Sequence, residues 1–267
     1  MKDRLWELKQ AASGGGLELY IYGDVENMTL DMENWRYVQS ENSAQHFREE
    51  LTKYPNAERI DIYINSYGGD VFEGTAIYNQ LKRHQARKVV HVDGFACSIA
   101  SVIAMAGDEV IMPRNTLMMI HNMWMFACGN AAELRKAADD LDVINDAGRQ
   151  AYLQKAGDKL PEDELVRMMD AETWLTAERC VELGLADRLA DEDADMSGAA
   201  AILQKVNAGM EQRLQYQKTL AAQLRDMAAA PAPGATPNVN PQGGGSPDKN
   251  KVLSLFAEAR KENNDEQ

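Results

Sequence analysis

The chain has 267 residues, 45% of them hydrophobic, enough for one sizeable core with an appendage. Its 42 acidic against 28 basic residues leave a formal charge of −14, which repels phosphate backbones and argues against nucleic acid as a partner. No apolar run is long enough for a transmembrane helix, and three scattered cysteines (Cys97, Cys128, Cys180) offer neither a disulfide framework nor a metal-binding pair, which fits a reducing, cytoplasmic setting.

Residues 1–16 read as a mobile leader ending in three glycines, without the apolar stretch of a secretory signal. The first strand follows, with Leu17, Leu19 and Ile21 alternating with Glu18, Tyr20 and Tyr22 at a period of two. Residues 43–51 have helical spacing, and Ile60, Ile62 and Ile64 mark a second strand over 60–65. Asn65-Ser66-Tyr67-Gly68-Gly69-Asp70 reads as a turn into a helix with Gly74, Ile77, Tyr78 and Leu81 on one stripe. It lacks the lysine and the glycine spacing of a phosphate loop.

A third strand over 88–93 leads through Gly94 into a helix of small residues, 98–106, and short strands are expected at 109–112 and 117–121. A long helix covers 131–155, another starts near Pro161, and a third over 176–183 stops at Gly184. Strands alternating with helices imply parallel βαβ units, an α/β core ending near Leu189. Beyond it, 191–230 reads as helical, with heptad-like apolar positions that allow a coiled coil or a lone surface helix. Residues 231–250 are a Pro/Gly-rich linker, and 251–267 form a short amphipathic helix suited to a partner.

Ser98 follows a strand and a glycine and opens a helix, where free N–H groups and the helix dipole gather. That position suits a nucleophile whose attack generates an oxyanion; it equally suits an ordinary N-cap serine. His121, one of four histidines, ends an apolar strand, on the rim where open α/β sheets build their sites; taken alone it also reads as a partly buried structural histidine. Asp170 and Glu172 are carboxylates that can orient such a histidine.

In chain order, IDIYINSYGGDVFEGTAIYNQLK, GFACSIASVIAMAG, MPRNTLMMIHNMW and ETWLTAERCVELGLAD resemble the strand–Gly-Gly–helix, nucleophile, histidine and acid blocks of the Clp peptidase family, over residues 17–190. The resemblance implies a Clp/crotonase-like α/β fold of repeated βαβ units with a protruding handle helix at 131–155, followed by a helical and disordered C-terminal tail. It implies a serine endopeptidase with Ser98 as nucleophile, His121 as base and Glu172 as the acid, Asp170 being the alternative. The N–H groups of Gly69 or Gly68 and of Ile99 would form the oxyanion hole. A strand over Asn122, Met123, Trp124, Met125 and on to Ala127 would hold an extended polypeptide substrate. No cofactor and no metal are implied, and the partner is a homo-oligomeric ring.

Three features depart from the family pattern: Glu172 where aspartate is usual, Cys97 and Ile99 flanking the nucleophile, and a leader unlike loops that engage an unfoldase. The Glu-Thr-Trp block is similar to the branch of phage head-maturation (prohead) proteases. In that branch the tail would tie the enzyme to capsid or scaffold subunits in the host cytoplasm. Rival readings keep the fold and change the chemistry: an inactive assembly protein, a crotonase-type acyl-CoA enzyme, or a Ser–Lys peptidase. The crotonase reading lacks paired carboxylates in the oxyanion segments, and the Ser–Lys reading finds only Lys88, at the wrong end of its strand.

Overall fold

The computed structural model describes residues 6–10, 16–31 and 36–194, all within the unit Met1–Gln215. The helical segment beyond 194, the linker and the terminal helix expected from the sequence lie outside the described residues.

In chain order the elements are β1 (Trp6–Gln10), β2 (Gly16–Val25), β3 (Met28–Asp31), β4 (Arg36–Gln39), α1 (Ala44–Leu51), β5 (Arg59–Gly69), α2 (Val71–Arg83) and β6 (Arg87–Cys97). They continue with α3 (Ile99–Ala104), β7 (Glu109–Met112), β8 (Leu117–Ile120), α4 (Ala131–Ala156), α5 (Glu162–Asp170), β9 (Thr173–Thr176), α6 (Ala177–Glu182) and β10 (Arg188–Leu189). One mixed sheet runs β1-β2-β5-β6-β7-β10, with β8 added on β6 and β9 on β8. The pairs among β2, β5, β6, β7, β8 and β10 are parallel; β1 and β9 join antiparallel. This is the mixed α/β architecture with a largely parallel sheet that the resemblance implies.

Alternation fixes which face is core. Leu17, Leu19 and Ile21 of β2 and Ile60, Ile62 and Ile64 of β5 are buried, and Ile77 and Leu81 of α2 and nearly all of α3 pack with them. Side chains cap the starts of α2 and α4. Asp70 accepts from the N–H groups of Phe72 and Glu73 at the start of α2, and Asn130 and Glu133 form a reciprocal capping box on α4.

Several elements differ from the sequence expectation. Residues 6–10, assigned to a mobile leader, form β1 along β2. The period-two pattern Trp-Glu-Leu-Lys was present there but too short to weigh. The hairpin β3–β4 and strand β9 were also missed, each only four residues long. The segment 66–69 is the end of β5 rather than a turn, and β6 likewise runs on to Cys97. Residues 122–127, expected as a strand, have no regular structure. The reason is positional: the β6–β8 and β8–β9 ladders end at Met119 and Ile120, so the backbone beyond has no ladder partner in them.

Both long strands carry irregularities at the same level. In the β2–β5 pair, Ser66 and Tyr67 fit opposite Gly23 alone; in the β5–β6 pair, Asp93, Gly94 and Phe95 fit opposite Asn65 alone. Just there β6 changes its outer neighbour, from β7 at Val89–His91 to β8 at Phe95–Cys97. Two polar side chains fill the gaps. Asn65 Oδ1 accepts from the Phe95 N–H at 3.1 Å, and Ser66 Oγ donates to the Gly23 carbonyl at 2.5 Å.

Candidate active site

Past this offset, β6 ends in buried Cys97 and the chain turns through Ser98 into α3. Ser98 has φ 54° and ψ −129°, a left-handed conformation that costs a non-glycine residue about 1–3 kcal/mol. Three hydrogen bonds hold it there. The Ser98 N–H donates to the Met119 carbonyl at 2.9 Å, and the Ser98 carbonyl accepts from the Ser101 N–H (2.9 Å) and hydroxyl (2.5 Å). Although it sits at the N-cap, its side chain makes no capping bond. Instead, Ser98 Oγ lies 2.7 Å from His121 Nε2. Of the two roles the sequence allows for Ser98, the capping one is therefore not the one adopted.

His121 is buried just after β8, whose parallel pairing with β6 sets Met119 beside Cys97. The last antiparallel β8–β9 rung pairs Ile120 with Thr173, and His121 and Glu172 are the residues directly after and before it in their segments. Glu172, at φ 49°, is the turn residue between α5 and β9. Asp170 lies at the end of α5 and its Oδ1 accepts from Asn122 Nδ2 at 2.6 Å. The two candidate acids thus occupy different places, Asp170 on the Asn122 side chain and Glu172 just before the last rung of that ladder.

Gly68 approaches the nucleophile so closely that a Cβ on it would lie 2.7 Å from Ser98 Cβ and 2.9 Å from the Cys97 carbonyl. Its φ of 109° also belongs to glycine. Its N–H donates to Ser66 Oγ at 3.1 Å, which makes Gly69, with Ile99, the better candidate for an oxyanion donor. Ile99 is buried in the first turn of α3.

The expected substrate strip divides. Met123 is buried and its N–H donates to Asn145 Oδ1 of α4 at 2.7 Å, so that amide does not serve a ligand. Trp124, Met125 and Phe126 are exposed, with the two rings edge to face at 5.2 Å. Beside His121 on the same face of β8, Met119 and Leu117 join Phe95, Cys97 and Tyr67 in a small apolar cluster, and Trp174 meets Phe95 at 6.1 Å. Burial pushes the Cys97 thiol up to about 12, with a hydrogen bond to the Met119 backbone opposing it, so this thiol does not compete as nucleophile. Among the described residues no cluster of His, Cys, Asp and Glu could hold a metal ion.

Ser101, Asn145 and Tyr152 contact this machinery and were not singled out from the sequence. A serine in an alanine-rich helix and polar residues on a mostly exposed one carry no local signal of such contacts.

Residues 38–193 match the Clp protease family. The chain is 31% identical over 144 residues to the ATP-dependent Clp protease proteolytic subunit of Deinococcus radiodurans, a match covering 53% of this chain and 69% of that protein. It is 27% identical over 140 residues to the ATP-dependent Clp protease proteolytic subunit 3 of Rhodococcus jostii, covering 52% and 68% respectively.

Proposed function

Since the chain belongs to the Clp protease family, we propose that it is a serine endopeptidase in which Ser98 attacks the peptide carbonyl and His121 is the base. The observation that carries this reading is the 2.7 Å approach of Ser98 Oγ to His121 Nε2, made by a serine that forgoes its capping bond. In the first step the Ser98 proton passes to His121 Nε2, the Oγ–C bond forms, and negative charge develops on the carbonyl oxygen. The N–H groups of Gly69 and Ile99 are the proposed donors to that oxygen. Collapse breaks the C–N bond, the leaving amine takes the proton from His121, and water releases the acyl group by the same steps in reverse order. Glu172 is the proposed third member, favoured over Asp170 by the β8–β9 register and by the Asn122–Asp170 bond.

We further propose a homo-oligomeric ring acting on polypeptides in the cytoplasm. Within the phage head-maturation branch, the substrates would be scaffold and capsid proteins; the Glu172-Thr173-Trp174 block and the composition of the tail support that assignment. Among the described residues no helix is long and apolar enough to cross a membrane.

The test is labelling by a serine-reactive fluorophosphonate, read by intact mass, together with hydrolysis of a fluorogenic peptide. Wild type is expected to gain one adduct, and Ser98→Ala to gain none while losing about 10⁵–10⁶-fold in kcat. Glu172→Gln is expected to lose about 10⁴-fold, as removal of a triad acid does, with Asp170→Asn close to wild type. Turnover by Ser98→Ala at the wild-type rate would end the proposal. Equal losses in the two carboxylate variants would end the assignment of Glu172.

A further inference from the structure

The handle helix α4 reaches the active site at two points. Asn145 and Tyr152, both buried, are seven residues apart and so lie two turns from each other on one face of the helix. Asn145 Oδ1 accepts from the N–H of Met123, two residues beyond His121. Tyr152 is 1% exposed, and its hydroxyl lies 2.7 Å from the hydroxyl of fully buried Ser101. Gly148 stands between them on the same face, where a Cβ would come within 2.6 Å of the Met123 methyl group.

Proton counting fixes the direction of the second contact. Ser101 has one hydroxyl proton, and its nearest acceptor is the Ser98 carbonyl at 2.5 Å, with the Met119 carbonyl further off at 3.4 Å. The Tyr152 hydroxyl must then be the donor to Ser101 Oγ. The result is a relay from the Tyr152 O–H through the Ser101 O–H to the Ser98 carbonyl. It ends on the peptide group that holds Ser98 at ψ −129°, while the Ser98 N–H bond to Met119 holds the preceding peptide and with it φ 54°. Met119, whose carbonyl accepts the Ser98 N–H, is the residue of β8 two before His121.

We infer that Tyr152 and Asn145 are positioning residues, with Ser101 as intermediary: α4 acts as a splint across the nucleophile and histidine segments and sets the Ser98–His121 hydrogen bond. This deepens the peptidase reading and rests on it for its catalytic consequence, but the geometric claim is separately measurable. A buried phenol that served packing alone would leave the His121 ring unaffected when its oxygen is removed. A relay member would not.

The experiment is solid-state ¹⁵N spectroscopy of the full chain labelled at histidine, with the His121 signal assigned by His121→Gln. Ser98→Ala supplies the spectrum of a His121 that has lost its serine partner. Tyr152→Phe and Ser101→Ala are expected to move the His121 Nε2 signal toward that reference. They are also expected to lower fluorophosphonate labelling and kcat by roughly 10-fold with KM unchanged, the effect of about 1.4 kcal/mol. The double variant is expected to lose no more than either single one, since both remove the same relay. Ser101→Thr, which restores the hydroxyl, is expected to recover the wild-type signal. His121 signals in Tyr152→Phe and Ser101→Ala indistinguishable from wild type, in proteins that melt cooperatively, would overturn the inference. Failure of the wild type to label at all would instead overturn the peptidase reading, while the ¹⁵N comparison would still decide the splint.

Discussion

Asp93 sits half-buried on the outer face of β6 and accepts a 2.6 Å hydrogen bond from Tyr22. Burial raises its pKa, and the Tyr22 bond and nearby His91 offset only part of that rise. A carboxyl whose pKa is higher folded than unfolded binds its proton more tightly in the native state. Stability is therefore lost as pH climbs through the interval between the two values, and is recovered below the unfolded one. Asp93→Asn keeps an acceptor for Tyr22 and removes the desolvated charge. It is expected to raise the melting temperature at pH 7.5 by a few degrees at most, solvent screening of this half-exposed carboxylate limiting the gain, with the gap narrowing as pH falls toward the ordinary carboxylate range. Melting curves at pH 7.5 and in that range check this; an equal gap at both would refute the desolvation account. At this scale the sequence was legible where chemistry and position coincide. Ser98 and His121 stand after a strand–glycine and at a strand end, and they meet at 2.7 Å. Asn65 and Ser66 were read as turn residues, because nothing local distinguishes a side chain that closes a turn from one that fills a gap between strands.

Elements are joined here at narrow tolerances. The end of β5 passes the β6–α3 junction with only a hydrogen atom's width to spare at Gly68. Gly68→Ala would force either β5 or Ser98 to move, and would place alanine at φ 109°. It is expected to cost about 1–3 kcal/mol of stability through backbone strain and about 10²-fold in labelling rate through misplacement of the nucleophile. Urea unfolding and probe kinetics read the two separately; an unchanged labelling rate would show that the close approach is not what aligns Ser98. Among the long periodic elements, β2 and α4 were predicted within a few residues of their bounds and α2 by its buried stripe, since burial of alternating or stripe-forming apolar residues determines them, whereas β5 was cut short at Asn65. The short β3, β4 and β9 were not predicted, because four residues carry too little pattern, and β9 in addition depends on β8, a neighbour distant in sequence.

For the whole molecule, the exposed apolar side chains are informative. Trp124, Met125 and Phe126 lie together just before α4, and Leu134 and Val143 are exposed along it. The contiguous Trp124, Met125 and Phe126, with the Trp124 and Phe126 rings in contact, suit burial between copies, which supports the proposed ring. Native mass spectrometry of the full chain is expected to give a multiple of 29.7 kDa, and Val143→Glu with Leu134→Glu to shift the distribution toward monomer. A wild-type monomer at micromolar concentration would exclude the ring. The paired irregularities of β5 and β6 have a consequence of their own. In the language of crystals the sheet contains a dislocation: a line crosses three strands, and beyond it the rows no longer match one to one. Asn65 and Ser66 are the pinning atoms of that defect, since each supplies with a side chain the bond that a continuous ladder would have made from backbone. Gly68, Ser98 and His121 all lie on its far side. The two offsets differ in size, one extra row of β5 against β2 and two extra rows of β6 against β5. Deleting one residue of β5 would therefore match it to β2 while leaving β6 three rows ahead: Gly68 would fall out of step with Ser98, which keeps its place beside His121 through the β6–β8 rows.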